Sequence, residues 1–320
     1  MSTKLKLLYL MQFLIEYTDE NHTLNASELV ERLTDKGITA ERKSIYRDIE
    51  LLRSFGIDIE KNGHGYYVAT RDFQLPEVRL LRDAVLAASF ITPRKTTELL
   101  DKLRTLTSKP QAQTLDKQVG MSNPSKSLNE QIYYTIDTIQ SAIDTTNRIR
   151  FSYNRDTLND AQNKVHEISP YALVWNNEKY YLIGNNDKFN DLMHFRLDRI
   201  KNISLLHTKS RPFEQVCEYR GTFDTSDYCR RHLNMFSGDP IPVTFRCSNS
   251  VYPHFVDTFG RNLNYEQNGD KFTVTVDVAP TKGLLGYLAQ FSGEIEILSP
   301  ASVRKQMRNH LLEMAKIYRR

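Results

Sequence analysis

The chain has 320 residues, 40% hydrophobic and 26% charged, with a formal net charge of only +4. That composition belongs to a folded chain of more than one domain, and the charge does not by itself announce nucleic-acid binding. No apolar run reaches the ~18 residues needed to cross a bilayer, and Glu16, Asp19 and Glu20 follow the apolar start with no small-residue cleavage site, which argues against a signal peptide.

Leu7, Leu10, Met11 and Leu14 recur at helical spacing and predict a first amphipathic helix over 3–18. Asn25 with Glu28 three residues on forms a capping pair for a second helix. Its apolar face carries Leu29, Val30 and Leu33, and Gly37 suits its C-terminal end. A third helix is predicted from Thr39 to Ser54, with Ile45, Ile49 and Leu52 inward and Gly56 after it. Two β-rich runs around Asn62-Gly63-His64-Gly65 predict a hairpin.

Pro76 opens another helix, and Thr92-Pro93 caps and starts a further one. Residues 108–127 lose periodicity and gain Ser, Gln and Pro, which predicts a linker or mobile loop. Helix returns over 128–146. From Arg148 the period changes to two, and five short strands follow up to 209, enough for a small barrel or a strongly bent sheet. Residues 210–240 read as irregular. From Ile241 the order is β-α-β-β-α-β, as in ferredoxin-like domains, with the turn Asn268-Gly269 between the middle strands. A last helix starts at Ser299-Pro300.

The expected fold class is therefore multi-domain α+β. Residues 1–72 form a winged helix-turn-helix, 73–147 a helical connector, 148–209 a small β-barrel, and 210–320 a ferredoxin-like domain. In a winged helix-turn-helix the second helix of the pair enters the major groove with its N-terminal residues first. Here those residues include Arg42, Lys43, Ser44, Tyr46 and Arg47, and His64 sits on the hairpin. Arginine and lysine there can meet phosphates or guanine edges, and Ser44 and Tyr46 can donate to phosphate oxygens. Residues 1–72 carry a net −2, so the case rests on local placement of cations.

The run from Arg42 to Val68 resembles the recognition helix and wing of DeoR-like regulators, through Lys43-Ser44-Ile45-Tyr46-Arg47-Asp48-Ile49 and Gly65-Tyr66. Ser169-Pro170-Tyr171, Tyr180-Tyr181-Leu182 and Phe195-Arg196-Leu197-Asp198-Arg199-Ile200 resemble the WYL domain, an Sm-like barrel, with tyrosine in place of its tryptophan. The C-terminal part resembles the extension that often follows that domain. The resemblance implies a transcriptional regulator whose barrel binds a nucleotide or a nucleic-acid fragment. On this reading the ligand meets Tyr153, Tyr171, Tyr181, His194, Arg196 and Arg199, with the tyrosines stacking and the arginines forking onto phosphate. The 148–209 segment carries +3, which suits an anion.

No phosphate loop, H-E-x-x-H or G-x-S-x-G occurs, so no enzyme, metal or cofactor is expected. Cys229 near His232 is the one nucleophile-like pair and reads as accidental. Cys217, Cys229 and Cys247 share no ligand spacing and suit free thiols in a cytoplasmic protein. The expected partners are a duplex DNA operator, palindromic for a homodimer, and no membrane. The competing reading is a non-catalytic protein that binds RNA or single-stranded DNA. A nucleic-acid-processing enzyme ranks below it.

Overall fold

A computed structural model of the chain describes residues 3–115, 126–154 and 163–319. Its Cα framework divides into two units, Met1–Leu128 and Asn129–Arg320.

The first unit opens with α1 (Thr3–Tyr17), α2 (Ala26–Asp35) and α3 (Arg42–Phe55), followed by a hairpin of β1 (Ile59–Lys61) and β2 (Tyr66–Val68). Asn25 starts α2 as its sequence predicts. Its Oδ1 accepts from the N–H groups of Ser27 and Glu28, and Glu28 Oε2 accepts from Asn25 N at 2.7 Å. Such a cap stabilises a helix by about 1 kcal/mol. Helix α3 begins later than the expected Thr39, because Glu41 holds the extended cap position. It ends at Gly56, whose φ of 108° only glycine adopts without strain. Leu10, Leu14, Leu29, Leu33, Ile45, Ile49 and Leu52 meet in one core beneath the hairpin.

Strand β2 also pairs with Leu24. The two N–H···O bonds between Leu24 and Tyr66 measure 3.0 and 2.9 Å. Gly65 is what lets the chains approach: a Cβ there would lie 2.6 Å from the Leu24 carbonyl carbon.

Next come α4 (Leu75–Ala87), α5 (Pro93–Arg104) and α6 (Lys109–Leu115). The last of these corrects the expected linker over 108–127. Ser108, fully buried, donates to the buried Asp19 carboxylate. Lys109 Nζ lies 2.8 Å from both Glu16 Oε2 and Tyr17 OH. Those tertiary bonds hold residues 109–115 in a helix that composition alone did not suggest. The rest of the expected linker, 116–125, lies outside the described residues.

The second unit starts with α7 (Ile132–Asp144), which packs against a five-stranded antiparallel sheet. Its strands are β3 (Asn147–Tyr153), β4 (Lys164–Asn176), β5 (Lys179–Asn185), β6 (Met193–Arg196) and β7 (Ile200–Lys209), in the order β6-β5-β4-β3-β7. Ile149, Phe151, Ile168, Leu182, Phe195, Leu197 and Ile200 are buried on it. The β4–β5 turn is two residues long, and both Asn177 and Glu178 have positive φ, 47° and 60°.

Within the stretch expected to be irregular, Thr225–Arg231 forms a helix, α8, capped by Asp224. The chain continues through β8 (Ile241–Ser248), α9 (Tyr252–Phe259), β9 (Tyr265–Asn268), β10 (Lys271–Val278), α10 (Lys282–Ala289), β11 (Ile295–Ser299) and α11 (Ala301–Ile317). This is the succession read from the sequence. The sheet is antiparallel with order β11-β8-β10-β9, and its buried face packs Val243, Phe245, Phe272 and Val274 against Phe255 and Leu284.

Candidate nucleic-acid interface and ligand-binding residues

Helix α3 divides its residues between two faces. Ile45, Asp48, Ile49 and Leu52 are buried. Arg42, Lys43, Tyr46 and Arg47 are exposed. Among the described residues, Arg42, Lys43 and Arg47 have no ion-pair partner, so their charges face solvent uncommitted. Tyr46 stands 6.4 Å, ring to ring, from Tyr66 of the hairpin. His64 is exposed in the hairpin turn, where Asn62 Oδ1 accepts from the N–H groups of His64 and Gly65.

Ser44 departs from its expected role. Its hydroxyl donates to the Glu41 carbonyl at 2.9 Å and accepts from Lys6 Nζ at 3.1 Å. Lys6 also pairs with the buried Asp48 at 2.7 Å. Ser44 thus helps to hold the start of α3 on α1. Lys6 and Asp48 were missed in the sequence, where a lysine in a first helix and an aspartate in a third carry no sign of their meeting.

The six residues expected to form one ligand pocket do not converge. Tyr181 and Arg196 are paired across β5 and β6, and the Arg196 N–H donates to Tyr153 OH at 3.2 Å. Arg199 follows in the turn beside them. These four residues cluster at one edge of the sheet. Arg196, however, is already committed to Asp198 through two bonds of 3.1 and 2.6 Å, a fork of the kind otherwise expected for phosphate.

His194 lies on the same face as Arg196 but is covered. Its Nε2 shares a hydrogen bond with Tyr228 OH at 2.9 Å, and its Nδ1 pairs with the Met235 carbonyl at 2.8 Å. Burial, with the nearby His232 adding to it, pushes its pKa down to about 4. Neutral and held on both nitrogens, it is not placed to meet an anion as the expected pocket required. Tyr171 is committed as well. Its hydroxyl donates to the Arg211 carbonyl at 2.9 Å, its ring packs on Phe213, and burial raises its pKa to about 12.

His232 turns its two ring nitrogens to the carbonyls of Tyr228 and Gly238, at 2.9 and 3.0 Å, and a neutral ring donates to one of them. Cys229 therefore has no base in that imidazole, and burial raises its thiol pKa. All three cysteines are free. Among the described residues no helix is long and apolar enough to cross a membrane.

The sequence matches the WYL domain over residues 134–205 and the WCX domain over residues 239–315. The first match begins inside α7 and takes in the five-stranded sheet as far as Leu205. The second takes in the four-stranded sheet and most of α11. The chain is similar to an uncharacterized HTH-type transcriptional regulator, YobV, of Bacillus subtilis (strain 168), at 25% identity over 298 residues, 86% of this chain and 89% of the relative. Among solved structures it is similar to proteasome accessory factor B/C (PafBC) of Arthrobacter aurescens, at 16% identity and a TM-score of 0.31 over 96% of this chain, and it spans about half, 48%, of that chain. It is also similar to a CRISPR Cas-related protein, at 14% identity and a TM-score of 0.39, over 99% of this chain and 81% of that one. Both superpositions are too loose to carry an argument. The WYL and WCX domains in this order, with an HTH-type transcriptional regulator similar over most of both chains, support a WYL-domain transcriptional regulator.

Proposed function

We propose that the chain binds duplex DNA sequence-specifically through residues 1–72, acting as a winged helix-turn-helix of the DeoR-like type. The observation that carries this is the outward row of Arg42, Lys43, Tyr46 and Arg47 at the start of α3, beside a hairpin tied to Leu24. An N-terminal helical turn with uncommitted cations is the part of such a helix that reaches bases and phosphates. The test is a gel shift at several salt concentrations with duplex DNA, single-stranded DNA and RNA of matched sequence. Preference for duplex, with a salt slope that falls by about 1 per phosphate-contacting cation removed, supports the reading. Tighter binding of RNA or single strands replaces it with the accessory-protein reading.

The WYL sheet is the proposed sensor, acting without catalysis in the cytoplasm. Its ligand is a nucleotide or a short single-stranded nucleic acid that meets Tyr153, Tyr181, Arg196 and Arg199. A phosphate there displaces Asp198 from the Arg196 fork. The C-terminal ferredoxin-like domain and α11 are the proposed pairing surface of a homodimer. Leu311, Leu312, Met314 and Ile317 of α11 remain exposed along its last turns, which leaves apolar surface for a second copy.

A further inference from the structure

We infer a second ligand site in the second unit, distinct from the Tyr153–Arg199 edge, built to take a neutral mono- or disaccharide. A cavity of about 660 Å³ opens between the end of β4, α8 and α9. That volume falls in the ~300–1,000 Å³ range of small-molecule sites. Its lining joins segments from both matched domains: Trp175 and Asn177 from the β4–β5 hairpin, Ser226 and Arg230 from α8, Asn234 beyond it, and Asp257 from α9.

The lining chemistry selects the ligand class. Trp175 is half exposed in the lining, and an indole is the kind of group against which the C–H face of a sugar ring packs. The remaining groups are mostly amides and hydroxyls, which can donate and accept at once. They come from five separate stretches around the wall, at 176–177, 225–226, 234, 258 and 287. A nucleobase presents hydrogen-bonding groups on its edges only, whereas a sugar presents hydroxyls all round its rim. Arg230 and Asp257 are the charged side chains of the lining and cancel formally. A phosphorylated ligand would find one cation balanced by one carboxylate in the same wall.

The backbone supports a purpose for this wall. Asn177 and Asn234 both hold positive φ, 47° and 54°, and so do their neighbours Glu178 and Met235. The Asn177 amide donates to Asn234 Oδ1 at 2.9 Å. The pair at 177–178 is what a two-residue hairpin turn requires, whereas the pair at 234–235 lies outside any hairpin, and such conformations gather where a fixed geometry is needed. Here they fix the rim where the hairpin meets the segment after α8. One carbonyl oxygen on Asn177 and one amide on Asn234 are left over to meet a ligand.

The protein carries a single tryptophan, so its intrinsic fluorescence reads this cavity directly. The experiment titrates the full chain with glucose, galactose, ribose, maltose and sucrose, with adenosine and AMP as the competing class, and follows both fluorescence and thermal denaturation. The expected result is a saturable fluorescence change with at least one neutral sugar. Asp257→Ala and Arg230→Ala, both surface-accessible changes that leave the melting temperature near wild type, should each weaken it tenfold or more. Arg196→Ala, at the other edge, should leave it unchanged. No saturable response to any sugar overturns the proposal. A response that survives both cavity substitutions overturns it too, and binding of AMP or adenosine alone overturns the sugar assignment.

Discussion

Arg47 carries a guanidinium that no other described residue pairs with, so its replacement tests the interface and little else. Arg47→Ala should abolish operator binding in a gel shift while the urea midpoint stays within what surface substitutions cost, about 0.5 kcal/mol. Normal binding by the alanine variants of Arg42, Lys43 and Arg47 together would end the duplex-reading proposal. His194 makes a different prediction, about acid. The unfolded chain protonates this imidazole below a pH of about 6.5, while burial holds the folded one neutral until about 4. The unfolded state therefore binds more protons in that window. Stability contributed by neutral His194 is complete above pH 6.5 and drains away as pH falls towards 4, by roughly 3 kcal/mol. Urea midpoints at pH 7.5, 6 and 5 should show this limb, and His194→Gln should flatten it. An unchanged limb would show that other groups set the acid sensitivity.

At the scale of elements, two glycines of one hairpin should behave oppositely. A Cβ on Gly65 would meet Leu24 and Asn25 backbone atoms at 2.6–2.8 Å, whereas one on Gly63 meets nothing within 4 Å. Gly65→Ala should cost about 1–3 kcal/mol, the range for overpacking against atoms that cannot rotate away, and weaken DNA binding with it. Gly63→Ala should leave both nearly unchanged, as thermal melts and gel shifts can read. The same hairpin was legible beforehand because Asn62-Gly63 between β-rich runs is a local signal, as were the Asn25–Glu28 box and the Asn268-Gly269 turn. What the sequence hid was contact at long range. Helix α6 depends on Ser108 reaching Asp19 and Lys109 reaching the end of α1, some ninety positions away in the chain. Strand periodicity could not reveal that Tyr228 and Met235 would cover His194 and that Asp198 would occupy Arg196.

For the whole molecule, light scattering at micromolar concentration should give a dimeric mass, and footprints should cover two half-sites about 34 Å apart. A monomeric mass with and without DNA would remove both the pairing surface and the palindrome. Arg196→Ala should abolish the effect of oligonucleotides on operator affinity while leaving that affinity itself in place. An equal response in wild type and variant would reduce the sheet domain to a scaffold. The two faces of α3 carry a consequence for descent. Its buried row of Ile45, Asp48, Ile49 and Leu52 seats the helix, and of the outward row only Tyr46 has a ring contact, with Tyr66. On the proposed duplex-reading role, gene duplicates of this chain can exchange Arg42, Lys43 and Arg47 and answer to a different promoter while the inner row still seats the helix. Retargeting then proceeds one letter at a time, with the inner row as the inherited part and the outer row as the address.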